Sequence, residues 1–530
     1  NWIRTIGNEK IPRSELNHLI EYANQGSRSI LLMDRPGSGK TCLLLDFVDY
    51  IENSTPWGLL FIKGDQFTDV NSESDFVARG LPDDLVGQCA RLATLRKVIV
   101  ILDSLDVLSL SRRHGALKVF LVLMDRLTAV EGLTLVVACR DFDLKYDPQL
   151  RARKWQHTVT IEPLDIHSVV SPLLHRWNIE LKGLNAELQK LLTLPQNLRL
   201  FEKIVQRLSR SLPNTVFELY DRFIDEVISL DQVLGQAAVL VLQALAERLI
   251  RRRTLACPRA YLSLEESVVQ RLISQEVLVE INLNTVAFSH QTLADSFAVR
   301  NAIAQGKSLE DFILSFPPFP FIRPSVRSFF FFLRTSQPDI FRRQIRSVLS
   351  NGGIACHLKR LIAESISEIT PTDDDLPLLR WIFQNHPDLF KRLLWTVNSD
   401  EWFHIITQYW IADAKIAPDR EGWLLQLISR LKTWMNRFPR QVVVLWREAL
   451  SSQWAQKQSP VWEITSALDK FEHWETQGIG ELLESLNEQT NDEHSFLGKT
   501  LSRWIQASDG GDELLWRYIT KNISSEDMTK

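Results

Sequence analysis

Asp34-Arg-Pro-Gly-Ser-Gly-Lys-Thr41 decides the reading of this chain. It follows the apolar run Ser29-Ile-Leu-Leu-Met33 and opens an amphipathic run over 41–53. Strand, glycine-rich loop and helix in that order form the setting in which backbone N–H groups cradle phosphate. Gly37 and Gly39 let the backbone curl so that those groups point inward. The helix N-terminus adds its partial positive charge. Lys40 reaches the β- and γ-phosphates, and the Thr41 hydroxyl is a ligand for Mg²⁺. The motif begins with Gly where this chain has Asp34. Asp tolerates unusual backbone angles better than most residues, so the loop is read as a variant.

Further buried strands are predicted over 59–62, 98–102, 133–137 and 158–161, with a helix over 115–129. Their apolar runs lack strict alternation, as in strands covered on both faces of a parallel sheet. Strands alternating with helices predict an α/β domain over 1–164. Val98-Ile-Val-Ile-Leu-Asp103-Ser-Leu-Asp106 puts acids at a strand tip, which is expected beside the loop strand. Asp103 is the expected outer ligand of Mg²⁺. Asp106 either polarises the attacking water or caps the next helix. Leu133-Thr-Leu-Val-Val-Ala-Cys139-Arg140 ends in an arginine where ligands of parallel sheets sit. Arg140 is either a γ-phosphate sensor or a partner of Asp141 or Asp143.

From Asp165 the strand signal stops, and 165–212 reads as a lid of short helices. A third domain is expected over 213–308. It has a long helix over 233–250, a capping box at Ser263-Leu-Glu-Glu266 and a hairpin around Asn282-Leu-Asn284. Helix, helix, hairpin outlines a winged helix. The Pro/Phe-rich stretch 315–333 reads as a boundary, and 309–530 as an all-helical array without strict period. Twelve of the 16 tryptophans follow residue 380. They are either core between helices or an aromatic recognition surface.

The 530 residues suffice for three or four domains at roughly 150 residues each. With 45% apolar and 24% charged residues, composition excludes a disordered or collagen-like chain. A net charge of −4 gives no general drive toward nucleic acid. The five cysteines form no CxxC or Cys/His cluster, which implies reduced thiols, a cytoplasmic setting and no structural zinc. No uncharged apolar stretch is long enough to span a membrane. A first residue of Asn rather than Met is expected of a fragment. No GxSxG, HExxH or EF-hand spacing appears. His157, His167 and His175 lack metal-ligand spacing.

Loop, acidic strand, arginine-tipped strand, lid and winged helix in this order resemble the STAND class of P-loop NTPases. The likeness is to NACHT-type and bacterial antiviral members related to NLR receptors, and it covers about residues 8 to 305. The resemblance implies ATP/ADP and Mg²⁺ as cofactors. Its phosphate-loop positions are Pro36, Gly37, Ser38, Gly39, Lys40 and Thr41, its acidic residue is Asp103 and its sensor is Arg140. Pro195, in Thr193-Leu-Pro195, would pack near the adenine, and Ile11-Pro-Arg13 lies where such proteins line it. Thr193 replaces a usual glycine. His290, in Val286-Ala-Phe-Ser-His290-Gln-Thr-Leu-Ala-Asp-Ser-Phe-Ala-Val-Arg300, would approach the β-phosphate of ADP, the alternative being a plain helix cap.

Where NACHT proteins carry one more acid after Asp106, this chain has Val107, so slow hydrolysis is expected. The resemblance implies a switch that is closed with ADP and open with ATP, self-associating on a protein trigger read by the C-terminal helices, a phage protein among the candidates. A missing N-terminal segment would be the effector. The alternatives are a fast ATPase machine with Arg151 or Arg153 as finger, a transcription regulator using Arg248, Arg251, Arg252 and Arg253, which falls between helices, and a scaffold with structural nucleotide.

Overall fold

The computed structural model describes residues 4–35, 37–67, 70, 72–105, 115–140, 144, 148–205, 212–213, 215–282, 284–417, 419–451, 460–489, 495–507 and 516. The chain divides into two compact units, 1–354 and 355–530.

The first unit opens with a small hairpin, β1 Thr5–Ile6 and β2 Glu9–Lys10, around Gly7 and Asn8. Both turn residues have left-handed φ, 58° and 63°, as a two-residue hairpin turn requires. Helix α1 Glu15–Asn24 follows. The main sheet has five strands: β3 Ser29–Asp34, β4 Gly58–Lys63, β5 Val98–Asp103, β6 Leu133–Arg140 and β7 His157–Thr160. All pairs are parallel, in the order β4-β5-β6-β3-β7. A five-stranded parallel sheet flanked by helices fits a P-loop NTPase domain.

Residues alternate between the two faces of each strand. Leu31, Val98, Val100, Leu135 and Val137 pack with Phe67, Phe76 and Phe120 on one side. Ile30, Leu32, Ile99, Ile101, Val136 and Ala138 pack with Leu19, Leu43 and Phe47 on the other. Both faces are dry, which is why the strands read as unbroken apolar runs. Each fully buried Leu, Ile or Val contributes roughly 1.5–3 kcal/mol. Helices α2 Lys40–Ser54, α3 Leu85–Ala93 and α4 Gly115–Thr128 supply much of that cover.

Beyond β7 come α5 Pro195–Val205, α6 Val216–Phe223 and α7 Gly235–Arg252. A three-stranded antiparallel sheet follows, in the order β8-β10-β9, from β8 Ala256–Pro258, β9 Leu278–Asn282 and β10 Thr285–Phe288. Helix α8 Glu266–Ser274 lies between β8 and β9, and α9 Gln291–Ala304 leaves β10. The expected capping box is not formed. Glu265 is the N-cap of α8 without a side-chain bond, and Ser263 ends a short 3-10 turn at φ 50°. The Pro/Phe-rich stretch holds α10 Arg323–Ser336, which falls within the first unit.

The arginine run is not between helices. Arg248, Arg251 and Arg252 lie in α7, and Arg253 is its C-cap. Arg248 stacks 3.7 Å from the Tyr261 ring, Arg251 4.9 Å from Phe316 and Arg253 3.7 Å from Phe319. These contacts tie the end of α7 to its neighbours.

The second unit is helical in its described residues. Cys356–Glu368 packs on Pro387–Thr396, that on Arg420–Leu431, that on Val461–Leu468, and that on Ser495–Ala507. Between them come Leu376–Asn385, Pro439–Ser451 and Ile479–Gln489. A spacing absent from the residue pattern appears in the contacts. Trp402 bonds the Ile369 carbonyl across 33 residues, Gln426 bonds Lys391 across 35, Trp434 bonds Ser399 across 35 and Asn436 bonds Lys470 across 34. Stacked helix pairs of about this length form a solenoid. Trp402, Trp410, Trp434 and Trp446 are fully buried, whereas Trp395, Trp462 and Trp516 are exposed.

Candidate functional site

The loop after β3 holds its shape through two glycines. Gly37 has φ 79° and Gly39, the N-cap of α2, has φ 96°. Both angles are cheap only without a Cβ. Asp34 needs no such freedom. It is the last residue of β3 and is not among the left-handed residues, so tolerance of odd angles does not explain its presence. Lys40 folds over the loop, its Nζ donating to the carbonyls of Asp34 and Arg35 at 2.8 Å each and lying 3.5 Å from Ser38 Oγ. Pro36 lies outside the described residues.

Thr41 Oγ1 donates to Asp103 Oδ2 at 2.9 Å. Asp103 is buried at the end of β5. The acidic strand is not beside the loop strand as expected, because β6 stands between β3 and β5. Thr41 reaches back across that gap from the first turn of α2. Gly64 closes the far side. A Cβ there would stand 2.8 Å from the Ser104 carbonyl oxygen and 3.1 Å from that of Asp103. Ser104 has φ 63°, so the chain turns sharply just after the acid. Asp106 and Val107 lie outside the described residues.

Arg13 supports the loop from behind. Its guanidinium donates to the Glu162 carbonyl at 2.8 Å and to the Ser38 carbonyl at 3.1 Å. Burial lowers its pKa, against the pull of Glu15 and Asp34. Glu15, itself buried, accepts from the Glu162 amide at 2.7 Å. Ile11 is half-buried just upstream. Pro195 Cγ lies 3.9 Å from where a Cβ on Gly39 would stand, so the proline packs on the loop.

Three residues that follow Pro195 on α5 carry no sequence signal. Gln196 donates its amide to the Gly37 carbonyl at 3.2 Å and presses so close that a Cβ on Gly37 would collide with it. Gln196 Nε2 donates to the buried Tyr220 hydroxyl at 2.7 Å, and Thr292 is a close neighbour of that hydroxyl. Arg199, one turn on, pairs with Glu276 at 2.7 Å, and Lys203 pairs with the same carboxylate at 3.1 Å. A glutamine in no motif and a basic pair at helical spacing leave no signal above a solvated face.

Those groups, with Gln196 and Phe223, line a small cleft that also contains His290. His290 is the N-cap residue of α9 but makes no side-chain cap bond, so the plain capping reading fails. Burial pushes its imidazole down to about 4, with Arg199 and Lys203 adding to the shift and Glu276 opposing it. A neutral imidazole offers one donor and one acceptor.

Arg140, at the end of β6, donates to Gln291 Oε1 at 2.9 Å. Its Cα partner in β3 is Asp34, where the loop begins. Asp141 and Asp143, its expected alternatives, lie outside the described residues. Of the proposed fingers, Arg151 is exposed, while Arg153 is ion-paired with Asp125.

No protein-family model matches the chain, and no curated protein matches it. Distant likenesses to solved structures exist. A Walker-type ATPase of Pyrococcus abyssi is 16% identical over 56% of this chain and 99% of its own, with a TM-score of 0.31. A STAND protein with a tetratricopeptide-repeat sensor, from Pyrococcus horikoshii, is 12% identical over 97% of this chain and 79% of its own, with a TM-score of 0.32. Cdc6p from Pyrobaculum aerophilum is 15% identical over 57% and 96%, with a TM-score of 0.27.

Proposed function

We propose that the chain is an ATP/ADP-dependent signalling switch of the STAND class, closed with ADP and open with ATP. The observation that carries the reading is the Thr41–Asp103 bond at 2.9 Å beside a lysine folded onto a two-glycine loop. A hydroxyl and a buried carboxylate joined at one point are the donor set a hard cation needs, and the lysine is the cation a phosphate needs. Thr41 and Asp103 would hold Mg²⁺, which shields phosphate charge when bound. Lys40 would turn from the loop carbonyls to the β- and γ-phosphates.

Residues 165–212 serve as a lid, and 213–308 as a winged helix. Pro195 and Gln196 seat the lid on the loop, and His290 faces the nucleotide from the third domain. Arg140 senses the γ-phosphate. Only a difference in affinity for the two states moves such an equilibrium, so the contacts that read ADP and ATP must differ. Opening frees surfaces for self-association, and the second unit reads a protein trigger, in keeping with bacterial antiphage defence. Hydrolysis is slow, as suits a switch. The arginine run of α7 packs on aromatic rings, which favours a protein trigger over nucleic acid without excluding the latter.

The test is Lys40→Ala. Equilibrium binding of a fluorescent ATP analogue is lost in the variant; unchanged affinity contradicts the site.

A further inference from the structure

The first turn of α9 meets the rest of the unit through three consecutive side chains. His290 lines the Arg199–Lys203–Glu276 cleft. Thr292 is a close neighbour of the Tyr220 hydroxyl, which accepts from Gln196. Gln291 holds Arg140. One helical turn past Gln291, on the same face, is the buried Asp295. Its carboxyl accepts from Ser325 Oγ at 2.6 Å and feels the positive charge of Arg140. Arg140 therefore contributes both a hydrogen bond and a charge to the seat of α9. The same residue stands beside Asp34, whose carbonyl accepts from Lys40.

We propose that Gln291 is a catch on Arg140: it holds the guanidinium on α9 in the closed state, and a nucleoside triphosphate engages Arg140 only by drawing it away. This rests on the reading of Arg140 as the γ-phosphate sensor. ADP has no group to compete for Arg140, so it leaves the catch set. A triphosphate offers charged oxygens where Gln291 offers a neutral amide oxygen, and charge-assisted bonds are the stronger. When Arg140 leaves, α9 loses the Gln291 bond and the charge facing Asp295 together. The seat of the helix then loosens, which turns the presence of one phosphate into release of a domain.

The test compares ADP with ATPγS in competition against a fluorescent ADP analogue, on the full chain with Mg²⁺. Gln291→Ala removes this competing bond, so ATPγS tightens about tenfold relative to ADP, the scale of a hydrogen bond to a charged group. Gln291→Glu gives Arg140 a charged partner, so ATPγS weakens relative to ADP. General loosening of α9 moves both variants in one direction. A ratio unchanged in both, or shifted the same way in both, overturns the catch. A wild type that binds neither nucleotide overturns the nucleotide reading itself.

Discussion

Thr41 and Asp103 are joined by a 2.9 Å hydrogen bond although β6 stands between Asp103's strand and the strand that leads into the loop. The bond fixes α2 to the tip of β5. It also fixes both oxygens in the place where a cation would be shared. Asp103→Asn therefore keeps the fold and lowers Mg²⁺ affinity by about 10–100-fold, the range for altered metal-site carboxylates. Titration of nucleotide binding against Mg²⁺ measures the shift. Mg²⁺ dependence identical to wild type would count against Asp103.

Gly64 tests how tightly that tip is packed. A Cβ there meets only backbone, the carbonyl oxygens of Ser104 and Asp103, and neither swings away as a side chain would. Gly64→Ala should cost about 1–3 kcal/mol of stability, as overpacking does. Urea unfolding should show a lower midpoint at unchanged slope. An unaltered midpoint would mean that the strand tip yields freely.

Two buried groups give opposite pH dependences. Burial pushes the Asp295 carboxyl up to about 7 from an ordinary 3.8, against the pull of Ser325 and Arg140. The folded chain then binds more protons than the unfolded one between about pH 4 and 7. Its contribution to stability is full below that window and is lost as pH rises through it. His290, pushed down from 6.5 to about 4, does the reverse, so its contribution is lost as pH falls from 6.5 to 4. Asp295→Asn should flatten the loss toward pH 7, and His290→Gln the loss toward pH 4. Thermal unfolding across pH 4–8 reads both; variants that retain the wild-type profile would refute the assignments.

The tryptophans of the second unit divide by burial. Trp402 is fully buried and its indole bonds the Ile369 carbonyl at 3.1 Å. Trp402→Ala should cost about 3–5 kcal/mol. Trp462 is 60% exposed, and Trp462→Ala should stay within about 0.5 kcal/mol. Equal losses in denaturant would mean that exposure does not separate packing from recognition.

The loop, its flanking strand and helix, and all five parallel strands were legible in the sequence, because each is a local run: unbroken apolar residues for the strands, an amphipathic period for the helix. Sheet order was not. Nothing local in 98–103 says that 133–140 will slip between it and the loop strand. Gln196 and Gln291 were missed for a related reason. Each acts across more than a hundred residues, Gln196 through its backbone N–H and Gln291 through its amide oxygen, and neither belongs to a motif. Ser263 misled because a hydroxyl three residues before a glutamate suits a capping box, yet the backbone there is already spent on a 3-10 turn. The solenoid spacing is written in backbone carbonyls such as those of Ile369 and Ser399, which any residue supplies.

The most direct measurement is to denature the purified chain and identify the nucleotide it releases by chromatography. The switch predicts near-stoichiometric ADP from a monomer, retained through purification. A chain that releases no nucleotide and turns over added ATP rapidly would contradict it.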